Sequence, residues 1–152
     1  MEKVTLGAGC FWGIEHAYRK LDGVIEATVG YAGGAAVNPT YEQVCTGKTG
    51  HTEVVQVSYD PSKVTFKELI DLFWIIHDPT TLNRQGPDIG TQYRSAIYFH
   101  SSEQEEIIKI LVLELENSNK FKNPIITEIA PIDTFYRGED YHQRYFEKQG
   151  RH

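Results

Sequence analysis

The stretch that most constrains the fold is a short apolar run that passes through a glycine-rich turn into an amphipathic helix. Val4–Leu6 has the composition of a strand, and residues 7–13 contain three glycines. Beyond the turn, apolar side chains recur with the i, i+3, i+4, i+7 spacing of one buried helical face: Ile14, Ala17, Tyr18 and Leu21. The pattern predicts a strand, a tight turn and a helix, with Cys10 at or just before the start of the helix.

Cys10 occupies a position in which a thiol becomes reactive. The unpaired N–H groups and the positive dipole end of a helix N-terminus favour an anion. We therefore expect the Cys10 pKa to lie below that of a free thiol, which would supply a thiolate nucleophile. Phe11 and Trp12 follow directly, and we expect these large rings to line a pocket. The alternative is an inert core cysteine, but the glycine-rich turn favours a functional one.

The order of the predicted elements indicates the fold class. It reads strand, helix, strand, strand, helix, strand, helix, strand, helix. This order predicts an α+β fold: a two-layer sandwich with helices packed on a mixed β-sheet and a ferredoxin-like core. The predicted strands span residues 3–6, 24–31, 52–59, 94–100 and 125–130, and the helices 12–21, 66–77, 103–117 and 138–148. Two long loops, 32–51 with a helical turn at 41–44 and 78–93, complete the chain, and capping-box patterns begin at Thr40, Thr65 and Ser102.

Length and charge narrow the class of protein. A chain of 152 residues fits one domain, so we expect residues 1–152 to form a single catalytic domain. The net charge of −6, with scattered Lys and Arg, argues against a nucleic-acid partner. No apolar run is long enough for a membrane span, and the N-terminus lacks the pattern of a secretory signal. Two cysteines outside any Cys-x-x-Cys pair indicate a reducing compartment, and we expect a cytoplasmic protein.

One carboxyl falls on the apolar face of a predicted strand. Residues 52–59 alternate, with Val55, Val57 and Tyr59 on one face, and Glu53 has the same parity. A carboxyl on that face is either buried among apolar side chains or a strand-end group that points into solvent. The pattern alone leaves both open.

Three other kinds of site use the same residues. Glycines at positions 7, 9 and 13 after a strand invite a dinucleotide interpretation, but Phe11 and Trp12 would crowd a pyrophosphate. The histidines and cysteines lack metal-ligand spacing, so no metal is expected. A cysteine hydrolase, in which a histidine serves Cys10 as base, stays open because such partners can lie far apart in sequence.

Together these motifs resemble the A-type peptide-methionine sulfoxide reductases. Gly9-Cys10-Phe11-Trp12-Gly13 is the hallmark of that family, and further motifs follow in the right order over almost the whole chain. They are Gly30-Tyr31, Asn38-Pro39-Thr40-Tyr41, Gly50-His51-Thr52-Glu53, Tyr59-Asp60-Pro61, His77-Asp78-Pro79, residues 85–95 and Tyr141-His142-Gln143. The fold of the family, an α+β sandwich around a mixed sheet, agrees with the element order above.

The resemblance implies a role for each site residue. Cys10 would attack the sulfoxide sulfur, and Phe11 and Trp12 would form the apolar pocket for the methyl group. Glu53 would pass a proton to the sulfoxide oxygen, which is a poor leaving group until protonated. Desolvation would raise the Glu53 pKa and keep that proton in place at neutral pH. Two tyrosines would hydrogen-bond the oxygen and an aspartate would complete the polar side of the site: Tyr41, Tyr93 and Asp88.

The implied reaction reduces the S epimer of methionine sulfoxide, free or in proteins, and thereby repairs oxidised proteins. It leaves methionine and a Cys10 sulfenic acid. The implied enzyme is a monomer that needs no cofactor beyond an external thiol: thioredoxin, glutathione with glutaredoxin, or dithiothreitol. Its partners are oxidised peptides or proteins and that reductant. A non-catalytic module that binds oxidised methionine is the alternative from another class, and the retention of Cys10 with Glu53 disfavours it.

The cysteines depart from the pattern of many family members. Those members carry one or two cysteines near the C-terminus that resolve the sulfenic acid, whereas none follows Cys45 here. Either this is a single-cysteine member or a tail has been removed; selenocysteine, used by some members, could also have been replaced at position 10. We hypothesise that glutathione with glutaredoxin, or a small dithiol, reduces the sulfenic acid better than thioredoxin. Cys45 is expected to be a packed or half-exposed thiol that gives no sign of reaching Cys10.

Overall fold

The computed structural model describes residues 1–150, in which helices pack on a mixed six-stranded sheet. None of the helices in this range is both long and apolar enough to cross a membrane. The strands are β1 (Glu2–Ala8), β2 (Val24–Ala32), β3 (Thr52–Tyr59), β4 (Arg84–Gln85), β5 (Asp88–Ile89), β6 (Ser95–Phe99), β7 (Glu128–Pro131) and β8 (Tyr136–Arg137). The α-helices are α1 (Phe11–Arg19), α2 (Tyr41–Cys45), α3 (Phe66–Ile76), α4 (Ser102–Asn117) and α5 (Tyr145–Lys148), with 3₁₀-helices at Thr91–Tyr93 and Asp140–His142.

The sheet has the order β7-β6-β1-β3-β2-β8. Its neighbours pair antiparallel except β6 and β7, which are parallel, so the sheet is mixed as predicted. Helix α1 connects β1 to β2, and β3 lies between those two strands. This split βαβ arrangement, repeated through α3 to β6, is the ferredoxin-like core. The predicted α+β sandwich is confirmed.

Strand β3 crosses the centre of the molecule and is covered on both faces. Val55 and Val57 belong to the main core, beneath α1 and α3, whereas Val54 faces the other way and packs in a smaller cluster with Tyr98. All of these side chains are at most 2% exposed, so the end of β3 that carries Glu53 is enclosed from both sides. The Glu53 carboxyl therefore stands on a strand whose two faces are both covered by apolar side chains.

Several element ends differ from the sequence predictions. The predicted helix over 138–148 is two short helices, because Arg144 between them has a left-handed φ of 55°. The predicted strand over 125–130 begins at Glu128, and the first helix ends at Arg19 rather than Leu21. The 78–93 loop contains the β4–β5 hairpin, and β8 was not predicted. Two-residue strands are too short to show a hydrophobic period.

Three of the helices begin at a side chain that accepts a hydrogen bond from a free N–H group of the first turn. Thr40 and Thr65 each form the predicted capping box, with Gln43 and Glu68 respectively. The third cap is Ser101, which accepts a hydrogen bond from the N–H of Gln104, so the prediction of Ser102 was one residue too late. Serine at both positions made the two starts equivalent in the sequence.

Candidate active site

Cys10 lies at the N-cap of α1, where β1 ends in a glycine turn. Gly9 has a left-handed φ of 96°, and a Cβ there would lie 2.8 Å from the Gln85 side chain of the β4–β5 hairpin. Glycine therefore permits both the turn and the close approach of the hairpin. The thiol is half-buried and forms no disulfide, and the backbone N–H groups of Trp12 and Gly13 stabilise its anionic form.

The prediction that Cys10 titrates below a free thiol is wrong. Burial raises the pKa of the Cys10 thiol to about 11, and the nearby carboxyls of Glu53 and Asp88 raise it further. The N–H groups at the helix start act in the predicted direction but are outweighed. The sulfur therefore keeps its proton at neutral pH, and a thiolate must form as a reaction proceeds.

Glu53 is buried, with 1% of its surface exposed. The peptide N–H of Phe11 donates to Oε1 at 3.2 Å, whereas Oε2 is buried without a hydrogen-bond partner among residues 1–150. Burial raises the pKa of the Glu53 carboxyl to about 7; the Phe11 N–H lowers it and the charge of Asp88 raises it. The choice that the sequence left open is thus decided in favour of burial, and the predicted rise in pKa is confirmed.

The polar side chains of the predicted site lie around this acid. Burial raises the pKa of Tyr93 to about 12, and the charges of Glu53, Asp88 and both cysteines raise it further. Burial also raises the pKa of Tyr41, whose hydroxyl hydrogen-bonds the Cys45 thiol. Asp88 stands in β5 and opposes negative charge on Cys10, Glu53 and Tyr93. The structure therefore brings these residues into one site.

The two aromatic residues after Cys10 differ in exposure. Phe11 is 1% exposed and stacks on Tyr41, with ring centroids 6.2 Å apart and planes inclined by 19°. Trp12 is only partly buried, and its indole stacks on Tyr145 at 3.8 Å and 10°. The two residues that follow Cys10 are thus both packed in ring stacks with tyrosines.

Sequence reasoning gave no role to the C-terminal residues that support the site. Glu139 accepts hydrogen bonds from the Tyr41 peptide N–H at 2.9 Å and the Tyr31 hydroxyl at 2.8 Å. His142 accepts one from the Trp12 indole N–H at 3.0 Å. The only signal was the Tyr141-His142-Gln143 motif, because these contacts join residues 98 to 130 positions apart.

The surroundings of the thiol also bear on the alternative interpretations. Within residues 1–150, no hydrogen bond joins Cys10 to an imidazole, so the base that a cysteine hydrolase needs is not in place. In the same range, no three His, Cys, Asp or Glu side chains are grouped to hold a metal ion. Carboxyls and hydroxyls beside a thiol suit a reaction that delivers a proton to substrate oxygen. The fold and site define a thiol-dependent oxidoreductase.

The family model described as "Peptide methionine sulfoxide reductase" matches residues 2–152, and the chain belongs to this family. It is 57% identical to the peptide methionine sulfoxide reductase MsrA of Methanoculleus marisnigri over 150 residues, which cover 99% of this chain and 92% of the relative. Its fold matches that of reduced Mxr1 from Saccharomyces cerevisiae with a TM-score of 0.88 and 44% identity, over 99% of this chain and 87% of that one. The structure of Mxr1 in complex with Trx2 matches with a TM-score of 0.63 and 37% identity, over 95% of this chain and 84% of that one. The family predicted from the motifs is confirmed.

Proposed function

We propose that Cys10 and Glu53 act as one reacting pair in this methionine sulfoxide reductase, with the sulfur as nucleophile and the carboxyl as proton donor. The observation that carries the proposal is the state of Glu53. One of its oxygens is held by the residue next to the nucleophile, and the other is buried without a partner within residues 1–150. A free, desolvated carboxyl oxygen is suited to donate to a substrate oxygen that enters beside the thiol.

The reaction balances with one thiol and one sulfoxide. As Cys10 Sγ attacks the sulfoxide sulfur, the thiol proton passes to the Glu53 carboxylate, and Glu53 delivers that proton to the sulfoxide oxygen and returns to its carboxylate form. The oxygen is then transferred to Sγ, so methionine leaves with two more electrons and Cys10 becomes a sulfenic acid. The net change is thiol plus sulfoxide to sulfenic acid plus thioether, with no external proton consumed.

The two pKa values determine how many protons the reacting pair holds before reaction. With the Cys10 pKa at about 11 and the Glu53 pKa at about 7, the pair holds one proton between those pH values. That proton resides mainly on sulfur in the resting enzyme, and it must pass to the carboxyl or to the substrate for attack to occur. A sulfoxide carries partial positive charge on its sulfur, which favours the thiolate once the substrate is bound.

The remaining side chains would hold the substrate. Phe11 and Trp12 supply an apolar surface for the S-methyl group, and Tyr41 and Tyr93 supply hydroxyl donors for the oxygen. Asp88 completes the polar side, and its charge adds to the rise that burial causes in the pKa values of Cys10 and Glu53. Fixed donors on one side of a chiral sulfur and apolar rings on the other favour one epimer, which we propose is the S form.

An external thiol would regenerate the enzyme. Two thiols convert the sulfenic acid to the free thiol, with a disulfide and water as products. The complex of the yeast relative Mxr1 with Trx2 supports a thioredoxin-class dithiol as one such reductant. Our hypothesis that glutathione with glutaredoxin is faster for this chain is decided by steady-state rates with each, and a strong preference for thioredoxin would contradict it. Both cysteines are free, in keeping with a cytoplasmic location.

The direct test is turnover of peptides that contain the S or the R sulfoxide, with dithiothreitol as reductant. We expect methionine from the S peptide only, and no product from Cys10→Ser. Cys45→Ser is the matched control, because it removes the other thiol. Activity in Cys10→Ser, or equal rates for both epimers, would contradict the proposal. A binding module would instead retain the sulfoxide peptide without reducing it.

A further inference from the structure

His142 is a buried polar residue for which the mechanism above has no use. It ends the 3₁₀-helix Asp140–His142, and 1% of its surface is exposed. Its ring lies among the aromatic side chains of the site, with centroids 5.1 Å from Phe11, 5.6 Å from Trp12 and 4.4 Å from Tyr41. The imidazole therefore packs among the aromatic rings that surround Phe11 and Trp12.

The hydrogen bond to Trp12 determines the tautomer of His142. The indole N–H can only donate, so Nδ1, 3.0 Å away, must accept and carries no proton. Burial lowers the His142 pKa, which keeps the ring neutral, and its single proton is on Nε2. Nε2 is buried and has no hydrogen-bond partner among residues 1–150. A buried donor without a partner is unfavourable for stability, so this ring is better explained by what it does for Trp12.

The C-terminal segment holds the imidazole firmly. The side-chain amide of the next residue, Gln143, bonds both the N–H and the carbonyl of Val29 in β2, at 3.0 and 2.9 Å. Three residues earlier, Glu139 bonds the Tyr41 peptide N–H. His142 is therefore anchored to the sheet and to α2 from both sides.

Trp12 is the side chain that this anchoring controls. Helix α1 places its Cα, but the ring is partly exposed and its orientation is set by two contacts from the C-terminal segment. His142 holds the indole edge, and Tyr145 stacks on its face at 3.8 Å. Without the edge contact, the stack on Tyr145 is the one of these two contacts that still holds the indole.

We propose that His142 is a positioning residue, which fixes the Trp12 indole through its Nδ1 and so shapes the wall that receives the S-methyl group. The inference rests on the proposed function, because Trp12 must form that wall. The inference makes His142 Nδ1, an acceptor in the C-terminal segment, a determinant of the affinity for the sulfoxide.

The test compares two His142 variants, and one of them again in a Trp12→Phe background, in single-turnover formation of methionine, from which thiol regeneration is absent. His142→Phe keeps an aromatic ring but removes the acceptor, and we expect the half-saturating sulfoxide concentration to rise at least about fivefold with the maximal rate within about twofold. His142→Asn offers Oδ1 where Nδ1 stands and should restore the wild-type value. In a Trp12→Phe background, which has no indole N–H, His142→Phe should change the value less than about twofold.

A second measurement follows the hydrogen bond itself. Trp12 and Trp74 are the two tryptophans, so Trp74→Phe assigns the indole N–H signals by NMR. The Trp12 indole proton should exchange with solvent slowly in the wild type, faster in His142→Phe and slowly again in His142→Asn. Equal exchange in all three would overturn the inference, as would an unchanged saturation value in His142→Phe. Trp12→Ala separates the two levels: if it also leaves saturation unchanged, the proposed pocket fails; if only the His142 variants do, the inference alone fails.

Discussion

The peptide N–H of Phe11 donates a hydrogen bond to Oε1 of Glu53 across 3.2 Å, so the proposed acid is held by the residue that follows the proposed nucleophile, Cys10. The contact joins the first turn of α1 to the start of β3, 42 residues apart in sequence. Because one carboxyl oxygen is held in this way, the other has a fixed direction relative to Cys10. The hydrogen bond from Phe11 stabilises the carboxylate only in part, since burial still raises the pKa of Glu53 to about 7.

Glu53→Gln should slow the reduction of methionine sulfoxide by roughly 10²–10⁴-fold, the usual contribution of a positioned general acid. The amide keeps the shape and can still accept from Phe11, but it has no proton to give. Single-turnover methionine formation at neutral pH measures the effect. Glu15→Gln is the matched control, because Glu15 is equally buried, pairs with Arg19 and lies outside the site. Full activity in Glu53→Gln would show that the acid assignment is wrong.

The pH dependence of kcat/KM should be bell-shaped. The reacting pair of Cys10 and Glu53 needs one proton in the transition state, whereas it holds two below its lower pKa and none above its upper one. We expect kcat/KM to rise with pH up to about 7 and to fall above about 11. The acid limb should vanish in Glu53→Gln. If kcat/KM instead fell as the pH rose through 7, the reactive form would have both Cys10 and Glu53 protonated.

Asp88→Asn gives an independent check on the same profile. The negative charge of Asp88 raises the pKa values of Glu53 and Cys10. Its removal should move both limbs to lower pH without changing the shape of the curve. An unmoved acid limb would assign that limb to a group other than Glu53.

The sequence could predict where Cys10 and Glu53 lie on their elements, but not their electrostatics. The glycine turn and the helix pattern located Cys10, yet its pKa depends first on burial and then on the charges of Glu53 and Asp88, which belong to β3 and to the β4–β5 hairpin. A local helix-dipole argument therefore predicted the wrong direction. Parity placed Glu53 on the apolar face of β3, but its burial is settled only when both faces of that strand are covered.

The C-terminal supports were less predictable still. Glu139 and His142 lie in short or irregular elements without a hydrophobic period, and their partners are about a hundred residues away. The left-handed Arg144 that divides the predicted last helix also gives no local sequence signal, because such a backbone in a residue other than glycine is imposed by tertiary contacts.

Removal of the Glu53 charge should stabilise the protein at high pH. The native pKa of about 7 lies above the unfolded value of 4.5, so between them the native state binds more protons and its stability falls as pH rises. The shift corresponds to about 3 kcal/mol of lost stability above pH 7. The free energy of unfolding of Glu53→Gln minus that of the wild type should therefore increase by about this amount from pH 4.5 to pH 8. Urea denaturation measures it, and a pH-independent difference would contradict the shifted pKa.

Tyr41 and Tyr93 should each increase kcat/KM through the hydroxyl group. Tyr93→Phe removes a donor that lies within electrostatic reach of both Glu53 and Cys10, and we expect kcat/KM to fall about tenfold, the value of one hydrogen bond to a charged oxygen. Tyr41→Phe should cost a similar factor. Tyr18→Phe is the control: it also loses a buried hydroxyl contact, to the Leu69 carbonyl, but in the core. Equal losses in Tyr18→Phe and Tyr93→Phe would point to stability rather than to substrate binding.

Cys45 should remain a bystander when the sulfenic acid forms. It is exposed at the end of α2, and its thiol contacts the Tyr41 hydroxyl, whereas Cys10 is half-buried at the N-cap of α1. After one turnover without reductant, mass spectrometry should therefore find one added oxygen on Cys10 and no Cys10–Cys45 disulfide. Cys45→Ser should give the same product and the same single-turnover rate. A disulfide that forms in the wild type, together with slower reactivation of Cys45→Ser by dithiothreitol, would make Cys45 the resolving cysteine, because the Cys10 sulfenic acid would then depend on an internal thiol to pass its oxidation to the reductant.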